Sequence, residues 1–180
     1  MQIITPTRLN RSLADVVRDF ESFGIWNEVL AAVEVKLVPV GMAYGYKYNG
    51  ADGAIEIPAL SIHRLCELFG YEEYELEDIL RHEYGHAIAD LYPRLTRTWR
   101  FRCVFAGSYD RGPSATRYHP RKHITPYAAS EPAEDFCEVF TCYVKHRGKR
   151  QGPINTFTLR LKWFFVGRLL RAIRRGRHSG

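Results

Sequence analysis

The 180-residue chain has no run of eighteen or more apolar residues, which excludes a membrane-spanning helix recognisable by hydropathy. It has no internal repeat and no low-complexity segment, so collagen-like and long disordered architectures are excluded as well. No apolar stretch follows the basic residues of the opening MQIITPTRLNRSL, so no secretory signal and a cytoplasmic location are expected. Cysteine is sparse. Cys66, Cys103, Cys137 and Cys142 form no Cys-x-x-Cys pair, which argues against a zinc ribbon or a dithiol redox motif and for reduced thiols. Acidic residues are missing altogether after Glu138. Eleven of the 26 Lys and Arg residues lie beyond that point, so residues 1–138 carry −5 and residues 139–180 carry +11 behind the overall +6.

What is present is enough for a core. Hydrophobic residues make up 46% of the chain and aromatics 13%, at a length that suits one domain. Apolar Leu13, Val16, Val17 and Phe20 share one face of a helix over Arg11–Phe23 that Gly24 ends. Alternation predicts a strand over Val33–Val40. Ala43–Tyr48 and Ala54–Ile57 flank a Gly-rich turn and read as a hairpin, with Tyr44, Tyr46 and Tyr48 alternating along it. Helices are expected over Ser61–Leu68, Glu75–Leu91, about Ser130–His146 and about Thr156–Arg175, and a strand over Arg100–Phe105. The fold class expected is α+β. A small twisted sheet and one prominent helix occupy roughly residues 1–92, a mainly helical part occupies 93–180, and a cleft runs between them within a single domain of 1–180.

The chemistry concentrates in His82-Glu83-Tyr84-Gly85-His86, inside the clearest helix. Residues four apart share a helix face, so His82 and His86 can offer two imidazole nitrogens to one metal ion. Glu83 sits about 100° around the axis, beside such an ion and placed to act as base toward a water molecule. A catalytic zinc needs a third protein ligand and an open position. A third histidine six residues after His86 is absent, because Tyr92 stands there. The segment Glu134-Asp135-Phe136-Cys137-Glu138 supplies an acidic one instead. Glu134 and Glu138 share a face opposite Phe136, Val139, Phe140 and Tyr143, and two glutamates aimed the same way call for a cation. Glu134 is read as the ligand, and Glu138 as the group that accepts a hydrogen bond from a ligand histidine and orients it.

His-Glu-x-x-His followed by Glu-Asp-Phe-x-Glu-x-x-Phe resembles the gluzincin class of zinc metallopeptidases. It is closer to bacterial zinc-binding metallopeptidases, and more distantly similar to the catalytic domain of anthrax lethal factor. The resemblance covers the His82–His86 helix and Ile124–Tyr143, and loosely Lys162–Val166. It implies a zincin-like fold and a zinc-dependent hydrolase of peptide bonds. His82, His86 and Glu134 would hold Zn2+, Glu83 would be the general base, and an edge strand from the Ala43–Ile57 region would hold an extended substrate. It also implies that Tyr127, seven residues before Glu134, donates to the oxyanion. The alanine such families often carry before the second glutamate is Cys137 here.

Weaker signals surround this set. His119 and His123 lie in a Pro- and Arg-rich loop, where a solvated or turn-capping role competes with that of a second oxyanion donor. Asp90 is read as an exposed helix-end acid, and Asp135 as a first-turn acid favoured by the helix dipole. The last helix gathers Arg160, Arg168, Arg171, Arg174 and Arg175 on one arc, and Leu161, Phe165, Val166, Leu169, Leu170, Ala172 and Ile173 on another that Lys162 interrupts. Docking on the core with a solvated basic face is the favoured reading. The alternative is association with an anionic surface, nucleic acid or membrane, through that basic helix. A toxin or effector protease with one narrow target is a further alternative.

Overall fold

The computed structural model describes residues 3–41, 45–48, 50, 53–69, 74–110, 116–152 and 154–176. Helix α1 spans Pro6–Phe23, five residues earlier than the apolar periodicity predicts. Its start is set by Thr5, whose hydroxyl accepts from the Arg8 N–H, and by Pro6 at the first helical position, where a missing N–H costs nothing. Gly24 ends it in the left-handed conformation at φ 69°. A single turn, α2 (Glu28–Ala31), is capped by the Asn27 side chain and leads to the sheet.

Strands β1 (Glu34–Val38), β2 (Gly45–Lys47) and β3 (Ala54–Pro58) form a three-stranded sheet in the order β1-β3-β2. β1 runs parallel to β3 with Glu34 opposite Ala54, and β2 runs antiparallel to it with Tyr46 opposite Ile55. The expected hairpin is therefore present as β2 and β3. Ala43, Tyr44 and the turn residues Asn49, Ala51 and Asp52 lie outside the described residues.

The helices that follow are α3 (Ile62–Phe69), α4 (Leu76–Leu91), α5 (Pro93–Thr96), α6 (Trp99–Val104), α7 (Pro132–Lys145) and α8 (Phe157–Gly176), with a 3-10 turn at Tyr127–Ala129. The α+β class is as expected. The strand predicted over Arg100–Phe105 is instead α6. Phe101 and Phe105 are the buried pair there, and a spacing of four satisfies a period of two and of 3.6 alike. The Thr98 hydroxyl decides between them by capping the Phe101 N–H at 3.2 Å.

Helix α4 is the axis of the molecule. Twelve of its sixteen residues are buried, so its ionisable side chains need partners inside the protein. Arg81 finds Asp19 of α1 at 2.7 Å and Asp78 at 2.8 Å, and Asp78 also takes Lys145 at 2.7 Å. Tyr84 packs edge-on against Phe20 of α1 at 5.3 Å, and Phe20 meets Phe140 of α7 at 6.0 Å. A second aromatic cluster joins Phe101 of α6 and Phe105, just past its end, to Phe136 of α7 and Phe165 of α8. Helix α8 is docked through Leu159, Trp163, Val166, Leu169, Leu170 and Ile173. Two expectations about it change. Leu161 is exposed rather than part of the buried arc, and Lys162 is almost fully buried, 2.5 Å from Asp135. Asp135 is in the first turn of α7 as expected, and it is also the buried partner of that lysine. All four cysteines are free.

Candidate metal centre

Helices α4 and α7 pack face to face, and each presents a group of three residues at matching spacing: His82, Gly85 and His86 on one, Glu134, Cys137 and Glu138 on the other. Close approach is possible because Gly85 has no side chain. A Cβ there would lie 3.1 Å from the Cys137 Sγ and 3.3 Å from the Cys137 Cα. The structure brings together all four residues expected from His-Glu-x-x-His and Glu134-x-x-x-Glu138 pairing.

The Glu134 carboxylate meets both imidazoles. Its Oε2 lies 2.9 Å from His82 Nε2, and its Oε1 lies 3.5 Å from His86 Nε2. Burial resists ionisation of Glu134, but the hydrogen bonds to His82 and His86 outweigh it and hold the carboxyl well below its ordinary range. The far nitrogens of both rings are occupied. His82 Nδ1 lies 2.8 Å from Glu138 Oε1, and His86 Nδ1 lies 2.8 Å from the Tyr109 hydroxyl. The other Glu138 oxygen accepts from the hydroxyls of Tyr74 and Thr125, each at 2.7 Å. Burial works against the charged form of His82, yet its bonds to Glu134 and Glu138 lift it to about 10.

These separations test a metal ion. Two donors at the usual zinc distances of about 2.0–2.1 Å in a tetrahedron stand roughly 3.3 Å apart. The two Nε2–carboxylate distances, each to a different oxygen of Glu134, lie on either side of that value, and both Nδ1 atoms are braced as ligand imidazoles require. The donor set therefore fits zinc. A second donor lies near. The ring nitrogens of His82 and His86 and the Cys137 thiol fall within 4.8 Å of one another. Burial, together with the neighbouring Glu134 and Glu83, pushes that thiol well above its ordinary range while no cation is bound.

Glu83 projects to the side of the pair. Its Oε2 accepts the backbone N–H of Tyr46 at 2.6 Å. Gly45, at φ 97°, allows this approach, since a Cβ there would sit 3.3 Å from the same oxygen. The tether comes from β2, the outer strand of the sheet beside the cleft. Tyr127 also borders the cleft, its ring centroid 5.8 Å from that of His82. Burial and the nearby Glu134 and Glu83 raise the Tyr127 hydroxyl far above its ordinary range, so it is a donor at any ordinary pH. The cleft measures about 360 Å³ and is ringed by Tyr46, Tyr48, Tyr109 and Tyr127.

Sequence reasoning missed Tyr109, Tyr74, Thr125 and the Tyr46 N–H. Asp90 borders the cleft but pairs with Arg97 at 2.5 Å rather than orienting His86. His119 and His123 line a separate cavity with Lys122, Lys162, Ala128 and Ala129.

No family model matches the chain, and no curated protein matches it. Among solved structures it is similar to a protein of Bacteroides caccae ATCC 43185 described as a putative zinc-binding metallo-peptidase. The identity is 18%, over 92% of this chain and 75% of that one, with a TM-score of 0.41. So loose an overlay adds nothing to the reading of the site, which rests on the distances above.

Proposed function

We propose that the chain is a zinc-dependent peptidase whose ion is held by His82, His86 and Glu134. The observation that carries this reading is the shared carboxylate: two imidazole Nε2 atoms converge on Glu134 while both Nδ1 atoms are braced from behind. When bound, zinc supplies Lewis acidity, polarising a carbonyl and making water acidic near neutral pH. The rest belongs to the chain. The Glu83 carboxylate, fixed by the Tyr46 N–H, takes a proton from the attacking water and returns it to the leaving nitrogen. The Tyr127 hydroxyl donates to the oxygen of the carbonyl under attack. Glu138 and Tyr109 act through the imidazoles they orient. The outer strand β2 is the element beside which an extended peptide would lie.

The test is cleavage of a mixed peptide library by zinc-loaded protein and by Glu83→Gln, with zinc content measured in both. Cleavage by the first alone, at equal zinc content, is expected. Equal cleavage removes Glu83 from the reaction. Absence of cleavage with zinc bound overturns a broad peptidase and leaves an enzyme with one dedicated target. Cobalt substitution separates the two donor sets: a thiolate charge-transfer band that Cys137→Ser abolishes would replace Glu134 by Cys137 as third ligand.

A further inference from the structure

We propose that the outer face of α6 and α8 docks on an anionic phospholipid surface. The face has two components. Trp99 is 69% exposed, Phe164 59%, Phe157 77% and Leu161 40%, an unusual outlay of large apolar side chains toward water. Phe157, Leu161, Phe164, Arg168 and Arg171 recur at steps of four and three, so they form one stripe along α8, apolar at its start and basic at its end. Trp99 faces that stripe across a groove of about 460 Å³ floored by Leu95, Val104, Phe165 and Leu169.

Charge selects the partner. Neither α6 nor α8 carries an acidic residue, whereas Arg94, Arg100 and Arg168 rim the groove. A guanidinium lies over two of the three exposed rings, Arg100 at 5.5 Å from Trp99 and Arg168 at 5.9 Å from Phe164. Tryptophan beside arginine suits the boundary between acyl chains and headgroups, where the ring enters the apolar layer and the cation stays with phosphate. Duplex nucleic acid would meet the arginines but leave Phe157 and Leu161 without a counterpart. Single strands would stack on the rings but would leave the aliphatic Leu161 between them without a counterpart. No helix among the described residues is long and apolar enough to cross a membrane, so the contact lies in the interface plane.

The experiment is co-sedimentation with phosphatidylcholine vesicles, with and without phosphatidylserine, read together with tryptophan emission. Trp26 is half-buried and Trp163 buried, so a blue shift on binding reports Trp99. Binding is expected only with phosphatidylserine and should weaken with salt. Arg168→Gln with Arg171→Gln should lower it about twenty-five-fold, at roughly fivefold per basic residue. Trp99→Ala should lower it about tenfold or more. All three positions are exposed, so circular dichroism should confirm an unchanged fold. Failure to bind phosphatidylserine vesicles at low salt overturns the proposal. So does equal binding to neutral vesicles, tighter binding to single-stranded DNA, or a blue shift produced by self-association without lipid.

Discussion

Gly85→Ala tests whether the two helices of the metal centre touch as closely as the geometry says. In an exposed helix the change would stabilise by about 0.8–1 kcal/mol, because alanine is the better helix former. Here the new methyl would stand 3.1 Å from the Cys137 Sγ, 3.3 Å from the Cys137 Cα and 3.3 Å from Phe140 Cδ1. The thiol can turn aside. The Cα cannot move without α7, and overpacking of this kind costs about 1–3 kcal/mol. The steric cost wins, leaving a net loss of about 1 kcal/mol, or ~2–4 °C in Tm for a chain of this size. Urea unfolding of the metal-free protein measures it. Since Glu134 and Glu138 flank Cys137 on α7, the same shift opens the Nε2–carboxylate distances, and zinc affinity should fall about tenfold in a chelator competition. Adding Cys137→Ala relieves the 3.1 Å approach to sulfur but not the 3.3 Å approach to the α7 backbone, so it should recover only part of the stability. A Gly85→Ala protein that gains about 1 kcal/mol and keeps its zinc affinity would refute the reasoning, for α4 and α7 would then have slack.

Glu138→Gln keeps the shape but must turn an amide toward His82 Nδ1 or toward the Tyr74 and Thr125 hydroxyls; zinc affinity should drop about 10–100-fold by chelator competition, with little change in the circular dichroism. Tyr109→Phe should weaken zinc binding through His86 in the same assay, by less, because a neutral hydroxyl braces less firmly than a carboxylate. Lys162→Met leaves Asp135 buried without its cation, and urea unfolding at neutral pH should show a loss of about 3–5 kcal/mol, most of it restored by adding Asp135→Leu. Burial, with Lys162 and Lys122 nearby, pushes His123 down to about 4. Below its ordinary value near 6.5 the unfolded chain therefore takes up a proton that the folded one refuses. Stability should fall as pH drops from about 6.5 toward 4, and His123→Gln should flatten that limb of the unfolding curve.

Much of the site was legible because its residues sit on regular helices. His82 with His86, and Glu134 with Glu138, are each four apart, and that spacing alone aims both members of a pair the same way. The supporting residues were not legible. Tyr74, Tyr109 and Thr125 come from irregular segments, where no period fixes direction, and the Tyr46 contribution is a backbone N–H that no side-chain pattern can announce. The misread α6 shows a different limit: two buried aromatics four apart fit a strand as well as a helix, and a threonine hydroxyl decides. The Lys162–Asp135 pair did leave a signal. A lysine interrupting one apolar arc and an aspartate beside a predicted ligand are each out of place, and two misplaced opposite charges are candidates for one buried bridge.

The small residue at the centre of each face explains why the donors meet at all. Gly85 lies between His82 and His86, and Cys137 lies between Glu134 and Glu138, so the narrowest points of the two helices oppose each other. Side chains reaching outward from that contact close on the same space, which brings Glu134 to 2.9 and 3.5 Å from the two imidazoles. A bulkier pair would separate the axes and carry the donors apart together, without altering any one of them. Around the two imidazoles stand three carboxyl side chains, Glu83 and Glu134 in the cleft and Glu138 behind His82, while Asp90 at the rim is paired with Arg97. Burying such a surplus of acid is unfavourable unless a cation joins it. The packing of α4 on α7 thus sets both the separation of the donors and the surplus of acid around the imidazoles, the two features on which the proposed zinc site rests.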